Sequence, residues 1–181
     1  MFYLWEIPDD YPEKLIGEYD DNRSLDRYLW RRGEAIDDTA KVVINFSVSK
    51  SKLKNRNDLA NSSMIPLISE RLANVLQKHC AEHIQLVTAE TVCSNGNLDG
   101  YFLLNVTNRI HAIDRNLSEF TCVKGTNYIM KLKKLIVLPG ALGDNHIGRD
   151  IDYSSYLYIS EYLREVLLAE KILDIGLTML P

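Results

Sequence analysis

The sequence predicts an α+β fold, in which an antiparallel or mixed sheet packs against amphipathic helices. The first observation is a repeat: residues 68–76 (ISERLANVL) and residues 159–167 (ISEYLREVL) share six of nine letters at an offset of 91 positions. The second is the alternation of apolar and polar residues over 42–48, which is typical of a half-buried strand. The third is a composition of 46% hydrophobic and 25% charged residues, as in ordinary globular proteins.

A chain of 181 residues is expected to form a single domain over residues 1–181. The N-terminal part, residues 1–60, begins with a strand at 2–5 and continues through an acidic loop that contains Pro8 and Pro12. A short helix is expected between Ser24 and Trp30, before the alternating strand. Residues 61–181 are expected to form a core that contains the duplication.

The first copy of the duplicated helix–strand unit is expected at about residues 65–90. Ser69 is a good N-cap, because its hydroxyl can accept a hydrogen bond from an amide of the first helical turn. Glu70 then places negative charge at the positive end of the helix dipole. Leu72, Leu76 and Cys80 recur at the spacing of one buried helix face, and a strand is expected to follow.

The second copy is expected at about residues 156–180, with Ser160 as cap and Glu161 behind it. Leu163 and Leu167 repeat the apolar face of the first copy. The letters that coincide are thus the cap, the dipole residue and the core positions, while letters on the solvent side differ. A duplicated reaction centre would show the opposite pattern, so the repeat is interpreted as scaffold.

Charge and cysteine content narrow the classes of partner. The net charge is −4, whereas non-specific binding to nucleic acid or to an anionic membrane depends on surplus Lys and Arg. We therefore expect no nucleic-acid partner and no membrane association, and a basic protein partner is easier to accommodate. Three scattered cysteines predict no disulfide framework. Because the N-terminus lacks the pattern of a secretory signal, a cytoplasmic location is expected.

No motif in the sequence predicts a metal, a cofactor or a catalytic centre. His79 and His83 have the spacing of two zinc ligands on one helix face, but Cys80 stands where a metalloprotease has Glu. We favour a role for these rings at the negative end of the helix. The glycines of residues 140–148 match neither a Walker loop nor a dinucleotide fingerprint. The sequence therefore predicts a protein that is not an enzyme, with no bound cofactor and no metal.

Five stretches carry a resemblance to a known family: IPLISERLANVL, IQLVTAETV, GYFLLNVTNRIHAIDRNLSEF, LKKLIVL and the C-terminal LYISEYLREVLLAEKILDIGLTML. Over about residues 65–180 the chain resembles a bacterial family of immunity proteins that is associated with polymorphic toxin systems. Residues 1–60 match only loosely. The resemblance implies a small cytoplasmic protein that binds a cognate toxin and neutralises it by steric occlusion, and it implies no catalytic residues.

The contact surface for such a partner is expected in the loop 140–156, because loops on a rigid scaffold commonly carry recognition. Acidic and tyrosine residues lie together there, in a stretch that has no counterpart in the repeat. Tyrosine offers rigid, amphipathic contact area, and the acidic residues would suit a basic toxin. The residues predicted to bind the partner are Asp144, Asp150, Asp152, Tyr153 and Tyr156.

Two alternative functions remain open at this point. One is a hydrolase or transferase for a small molecule, with an unrecognised site. His111, His146 and Asp114 would be the first residues to test for it. The other is a regulatory binding subunit whose partner is not a toxin.

Overall fold

The computed structural model describes residues 1–37 and 39–180 of the chain. Strands account for 34% and helices for 18%, with fifteen strands in four sheets and three α-helices among the described residues. The prediction of an α+β fold with packed helices is therefore wrong, because the protein is mostly β. Many of its strands have only two to four residues. Runs this short hold too few alternating positions to predict a strand.

The strands and helices, in chain order, have the following bounds. The strands are β1 Phe2–Glu6, β2 Glu18–Tyr19, β3 Val43–Asn45, β4 Asp58–Leu59, β5 Leu67–Ser69, β6 Ile84–Thr88, β7 Glu90–Cys93, β8 Gly96–Leu98, β9 Tyr101–Val106, β10 Arg109–Ile110, β11 Glu119–Cys122, β12 Ile129–Lys134, β13 Ile147–Asp150, β14 Leu157–Ser160 and β15 Gly176–Met179. The α-helices are α1 Arg27–Trp30, α2 Glu70–Cys80 and α3 Glu161–Ala169. The four sheets have the orders β10-β13-β14-β1-β15, β4-β5-β9-β6, β2-β3-β7-β8 and β11-β12.

Two segments have the same strand–helix–strand arrangement. The first unit, residues 67–88, comprises β5, α2 and β6, and the second unit, residues 157–179, comprises β14, α3 and β15. In each unit the two strands flank a single antiparallel strand, which is β9 in the first and β1 in the second. A further strand, β4 or β13, pairs antiparallel with the outer side of β5 or β14.

The strand pairing of the two units follows the same register, with the paired residues of the second unit 91 positions later in the chain. Phe102 on β9 lies opposite Ile68 on one side and Thr88 on the other. Tyr3 on β1 lies opposite the residues 91 places further along the chain. The offset seen in the letters of the helix starts therefore extends to the strands that carry the helices.

The two unit helices begin with equivalent caps. Ser69 Oγ accepts a hydrogen bond from the backbone N–H of Leu72 at 3.3 Å, and Ser160 Oγ accepts one from Leu163 at 3.2 Å. Each bond satisfies one amide that the first helical turn leaves without a partner. Both leucine side chains are fully buried, and they belong to one hydrophobic core that both units share.

The two helices also contact each other through equivalent positions. The guanidinium of Arg71 on α2 donates a hydrogen bond to the backbone carbonyl of Glu170, just after α3. The hydroxyl of Tyr162 on α3 lies 3.0 Å from Nδ1 of His79 on α2. Arg71 and Tyr162 are 91 positions apart, and so are His79 and Glu170. Such reciprocal contacts are typical of an interface with two-fold symmetry.

The strands of residues 1–60 all lie in sheets that include later parts of the chain. β1 stands in the middle of the second unit's sheet, β3 pairs with β7, and β4 pairs with β5. A second core gathers around the buried side chains of Tyr19, Trp30, Ile44 and Leu103. The single domain over residues 1–181 stays a prediction.

Candidate functional site

Three parts of the chain meet around an open cleft of about 580 Å³. They are α1 with the turn that follows it and with Arg109 of β10 beside it, the loop after β13, and the hairpin formed by β11 and β12. We call this site the arginine cleft. Its lining residues are Tyr28, Arg31, Arg32, Glu34, Arg109, Tyr128, Ile129, Asp150, Ile151, Asp152, Tyr153, Ser154 and Ser155.

The first wall of the arginine cleft is fixed by α1. Asp26 caps this short helix by accepting from the backbone N–H of Tyr28 at 2.9 Å. Trp30 is fully buried and its indole N–H donates to the Tyr19 hydroxyl at 2.8 Å. With Trp30 anchored in the core, the Tyr28 side chain is left 65% exposed at the cleft.

The turn after α1 packs closely against the rest of the wall. Gly33 has a φ of +65°, and a Cβ at this position would lie 3.0 Å from Cγ of Arg109 and 3.2 Å from the carbonyl oxygen of Val106. Both the backbone conformation and the crowding favour glycine. The neighbouring Arg109 and Glu34 form an ion pair at 3.6 Å on this wall.

The loop of the second wall is organised by Asp150, which is only 1% exposed. Its Oδ1 accepts from the backbone N–H groups of Asp152 at 2.7 Å and Tyr153 at 2.9 Å, and its Oδ2 accepts from Ala112 at 3.3 Å. Burial raises the pKa of the Asp150 carboxyl, against the opposing effect of these amides. Asp150 therefore holds the loop from inside.

Asp152 connects the loop to the third wall. Its Oδ1 accepts from Nη1 of Arg115 at 2.6 Å, and its Oδ2 lies 3.1 Å from Nδ1 of His111. Arg115 also donates to the carbonyl of Asn127 at 3.0 Å and stacks over the ring of Phe120. One guanidinium thus ties the loop to the hairpin, and the Asp152 carboxylate is already engaged.

The remaining predicted contact residues lie in different places. Tyr153 lines the cleft, and its ring meets that of Tyr156 edge-on with centroids 4.7 Å apart. Tyr156 packs instead towards the core around Tyr158, and Asp144 is exposed in the turn before β13. The structure therefore brings Asp150, Asp152 and Tyr153 together at the cleft, with Asp144 and Tyr156 outside its lining.

Sequence reasoning missed the arginines of this site. Arg31 and Arg32 follow α1, Arg109 begins β10, and Arg149 lies on β13, so no local pattern links them. Arg31 stacks over Tyr28 and donates from Nη2 to the carbonyl of Ser63 at 2.7 Å. The adjacent residues Arg31 and Arg32 are the local sequence feature from which a basic site could have been predicted.

Arg149 is the most unusual of these arginines, because it is only 2% exposed. Its Nη1 donates to the carbonyl of Ser154, a lining residue, at 2.7 Å. Among the described residues, its Nε and Nη2 have no hydrogen-bond partner. Burial, together with the charge of Arg31, lowers the pKa of Arg149 to about 10. Within residues 1–37 and 39–180, this buried cation beneath the arginine cleft therefore has no carboxylate partner.

The sequence matches the family model of the Immunity protein family (Imm11) over residues 2–179. The chain belongs to the Imm11 family. The match covers nearly the whole chain, and it therefore extends the resemblance found over residues 65–180 through the N-terminal part. No curated protein matches the sequence. Membership gives this Imm11 protein a role in toxin immunity, and immunity protein families are generally non-enzymatic.

The residues proposed for an enzymatic alternative share no hydrogen bond with one another in the described part of this Imm11 protein. His111 contacts Asp152, whereas His146 Nδ1 lies 3.1 Å from Ser160 Oγ. Asp114 accepts from two backbone amides of its own turn. None of the three lines the arginine cleft.

Two general properties of the described part of this Imm11 chain bear on its partners. Within residues 1–37 and 39–180, no group of three or more His, Cys, Asp and Glu side chains is placed to hold a metal ion. None of the helices in the same ranges combines the length and the apolar character needed to span a bilayer. The cytoplasmic location and the basic character of the toxin stay predictions.

Proposed function

We propose that this protein neutralises a cognate bacterial toxin by binding it and occluding its active site or substrate path. The observation that carries the proposal is the Imm11 match across residues 2–179, which indicates toxin immunity. Occlusion requires a protein–protein interface of ordinary size and no chemical step. The proposed mechanism is therefore binding without catalysis.

The proposed contact surface is the arginine cleft with its rim. Two tyrosines stand at its edges, with Tyr28 65% exposed and Tyr128 73% exposed. Tyrosine and arginine are enriched among residues that dominate interface energetics. Asp152 and Tyr153, expected from the sequence to bind the partner, lie in the same cleft. A partner that enters here would meet aromatic, cationic and hydroxyl groups at once.

The loop and the hairpin are held in place before any partner arrives. Asp150 accepts from three backbone amides, and Arg115 bonds to both walls. A preorganised surface loses less conformational entropy on binding. Within the proposal, Asp150 acts by shaping the loop, Asp152 and Tyr153 lie in the contact, and Asp144 and Tyr156 belong to its outer margin.

Co-expression with the cognate toxin tests the proposal, with co-purification and growth rescue as readouts. The Tyr128→Ala variant should lower affinity about tenfold or more and weaken rescue, because an exposed aromatic anchor is lost. Tyr162→Ala is the matched control, since Tyr162 is 46% exposed on α3 and does not line the cleft. Failure of the wild-type protein to bind any toxin it protects against would contradict the proposal.

A further inference from the structure

The carboxylates that line the arginine cleft are already engaged. The Asp150 carboxylate is buried against backbone amides, and Asp152 is paired with Arg115 at 2.6 Å. Glu34 faces Arg109 at 3.6 Å. Each of these three carboxylates therefore has its own partners, and in the part of the chain that the structure describes none forms an ion pair with Arg31, Arg32 or Arg149.

Three arginines at the cleft have no carboxylate partner among the described residues. Arg31 bonds to a backbone carbonyl, Arg32 is exposed with no side-chain bond, and Arg149 lies below them with two unpartnered nitrogens. A buried guanidinium without a partner is costly, and its field is screened less than that of a surface charge. The described residues thus leave three guanidinium groups at the cleft without a carboxylate, in a protein whose net charge is −4.

We infer that the arginine cleft receives an acidic segment of the toxin, in which an Asp or Glu carboxylate binds the guanidinium groups of Arg31 and Arg32. This inference rests on the proposed function and names the chemistry of the partner at that same site. Guanidinium and carboxylate form paired, charge-assisted hydrogen bonds, and Tyr28 and Tyr128 flank them with area for the neighbouring side chains.

A carboxylate suits the cleft better than a phosphate does. The unpaired guanidinium groups would attract either anion, so the shape of the site decides between them. The open shape and the two exposed tyrosines favour a protein segment over a small ion. The partner is therefore acidic where it meets the cleft, whatever its overall charge.

Calorimetric titration of the purified protein with its cognate toxin tests the charge of the partner segment. Arg32→Glu should weaken binding about tenfold or more at low salt, since it places like charges together. Lys78→Glu makes the same change of charge on an exposed position of α2 and should leave affinity within about twofold. Equal affinity of Arg32→Glu and wild type would overturn the inference.

Charge exchange then separates this inference from the proposed function. Among toxin variants that each carry one exposed Asp or Glu changed to Lys, at least one should restore binding to the Arg32→Glu protein. If Tyr128→Ala abolishes binding while no exchanged toxin restores it, the cleft remains the contact surface and the acidic segment is refuted. If inorganic phosphate binds to wild type but not to Arg32→Glu, the site takes a free anion and the inference also fails.

A variant of the buried Arg149 provides an independent test, in which both stability and toxin affinity are measured. Arg149→Met removes an unpaired charge at a similar volume, so the free protein should become more resistant to urea while its affinity for the toxin falls. A purely structural arginine would show a different result, with lower stability and unchanged affinity. That outcome would overturn the part assigned to Arg149.

Discussion

The first unit and the second unit resemble each other where they are buried and differ in what precedes them. Ile84 and Ile175, one offset apart, are both 8% exposed in the shared core. Residues 60–66 connect β4 to β5, and residues 151–156 connect β13 to β14, with residues 151–155 lining the arginine cleft. The repeated strands and helices therefore form the framework, and the arginine cleft uses a connection between them that occupies an equivalent place in both units but differs in sequence.

The contacts between α2 and α3 lie at equivalent positions of the two units but are made by different side chains. Arg71 reaches a backbone carbonyl at Glu170, while Tyr162 at the equivalent position meets the ring of His79. Solvent-side letters therefore differ between the copies without losing their structural role. Four experiments test how far the two units are equivalent, and they follow in order of decreasing effect.

The largest effect is expected from the buried leucines. Leu72→Ala and Leu163→Ala each remove a fully buried side chain from the shared core and should each lower the free energy of unfolding by about 2–5 kcal/mol. Urea unfolding should show a single transition for both variants, because one core serves both units. Two separate transitions, or a loss confined to one variant, would contradict the equivalence of the units.

The next largest effect is expected from a carboxyl beside the first unit that accepts a hydrogen bond from β1, the central strand of the second unit's sheet. Asp58 on β4 borders the first unit, and its Oδ2 accepts from the indole N–H of Trp5 at 2.8 Å. Burial raises the pKa of Asp58 to about 6, with a smaller contribution from Asp174. The folded state then binds more protons than the unfolded state between about pH 4 and pH 6, so stability falls as the pH rises through this window.

Asp58→Asn should remove the part of this pH dependence that Asp58 contributes, because the amide does not titrate, while its oxygen can still accept from Trp5. The variant should be more stable than wild type at pH 7, by up to about 3 kcal/mol. Urea midpoints between pH 4 and pH 7 measure the effect. Asp144→Asn is the control, because Asp144 is exposed and should leave the profile unchanged. A parallel pH profile in Asp58→Asn would refute the assignment.

The sequence predicts most where interactions are local. The caps at Ser69 and Ser160 and the apolar faces of α2 and α3 follow from neighbouring letters, and the helices begin where those letters indicate. The sheets depend on distant pairs instead. Tyr3 lies opposite Ile159 in the five-stranded sheet, and no local pattern encodes that partnership.

Part of the arginine cleft could be predicted from the sequence, because some of its residues are neighbours in the chain. Asp152 and Tyr153 lie in a loop whose composition is typical of recognition, so they could be selected from it. The parallel pairing of β10 with β13 places Arg109 and Arg149 side by side at the cleft. Arg31 comes from a distant part of the chain, directly after α1. Assembly from distant segments leaves no signal in one sequence.

A smaller effect is expected from the two caps. Ser69→Ala and Ser160→Ala should each lower the free energy of unfolding by about 1 kcal/mol, because each leaves one amide of the first turn without its partner. Each hydroxyl also has a second contact, Ser69 with Asn57 at 3.0 Å and Ser160 with His146 at 3.1 Å. Denaturant titration of both variants should therefore give similar losses, and a clear difference would show that the second contacts dominate.

The smallest effect is expected from the reciprocal helix contacts. Arg71→Met and Tyr162→Phe remove the polar tip of each side chain and keep its apolar part, including the stacking of the Tyr162 ring on His146. Each should lower the free energy of unfolding by about 0.5–1 kcal/mol, since both contacts are exposed to solvent. The double variant should show the sum, because the contacts share no residue. A loss in only one variant would mean that the two contacts, although equivalent in position, contribute unequally to holding the helices together.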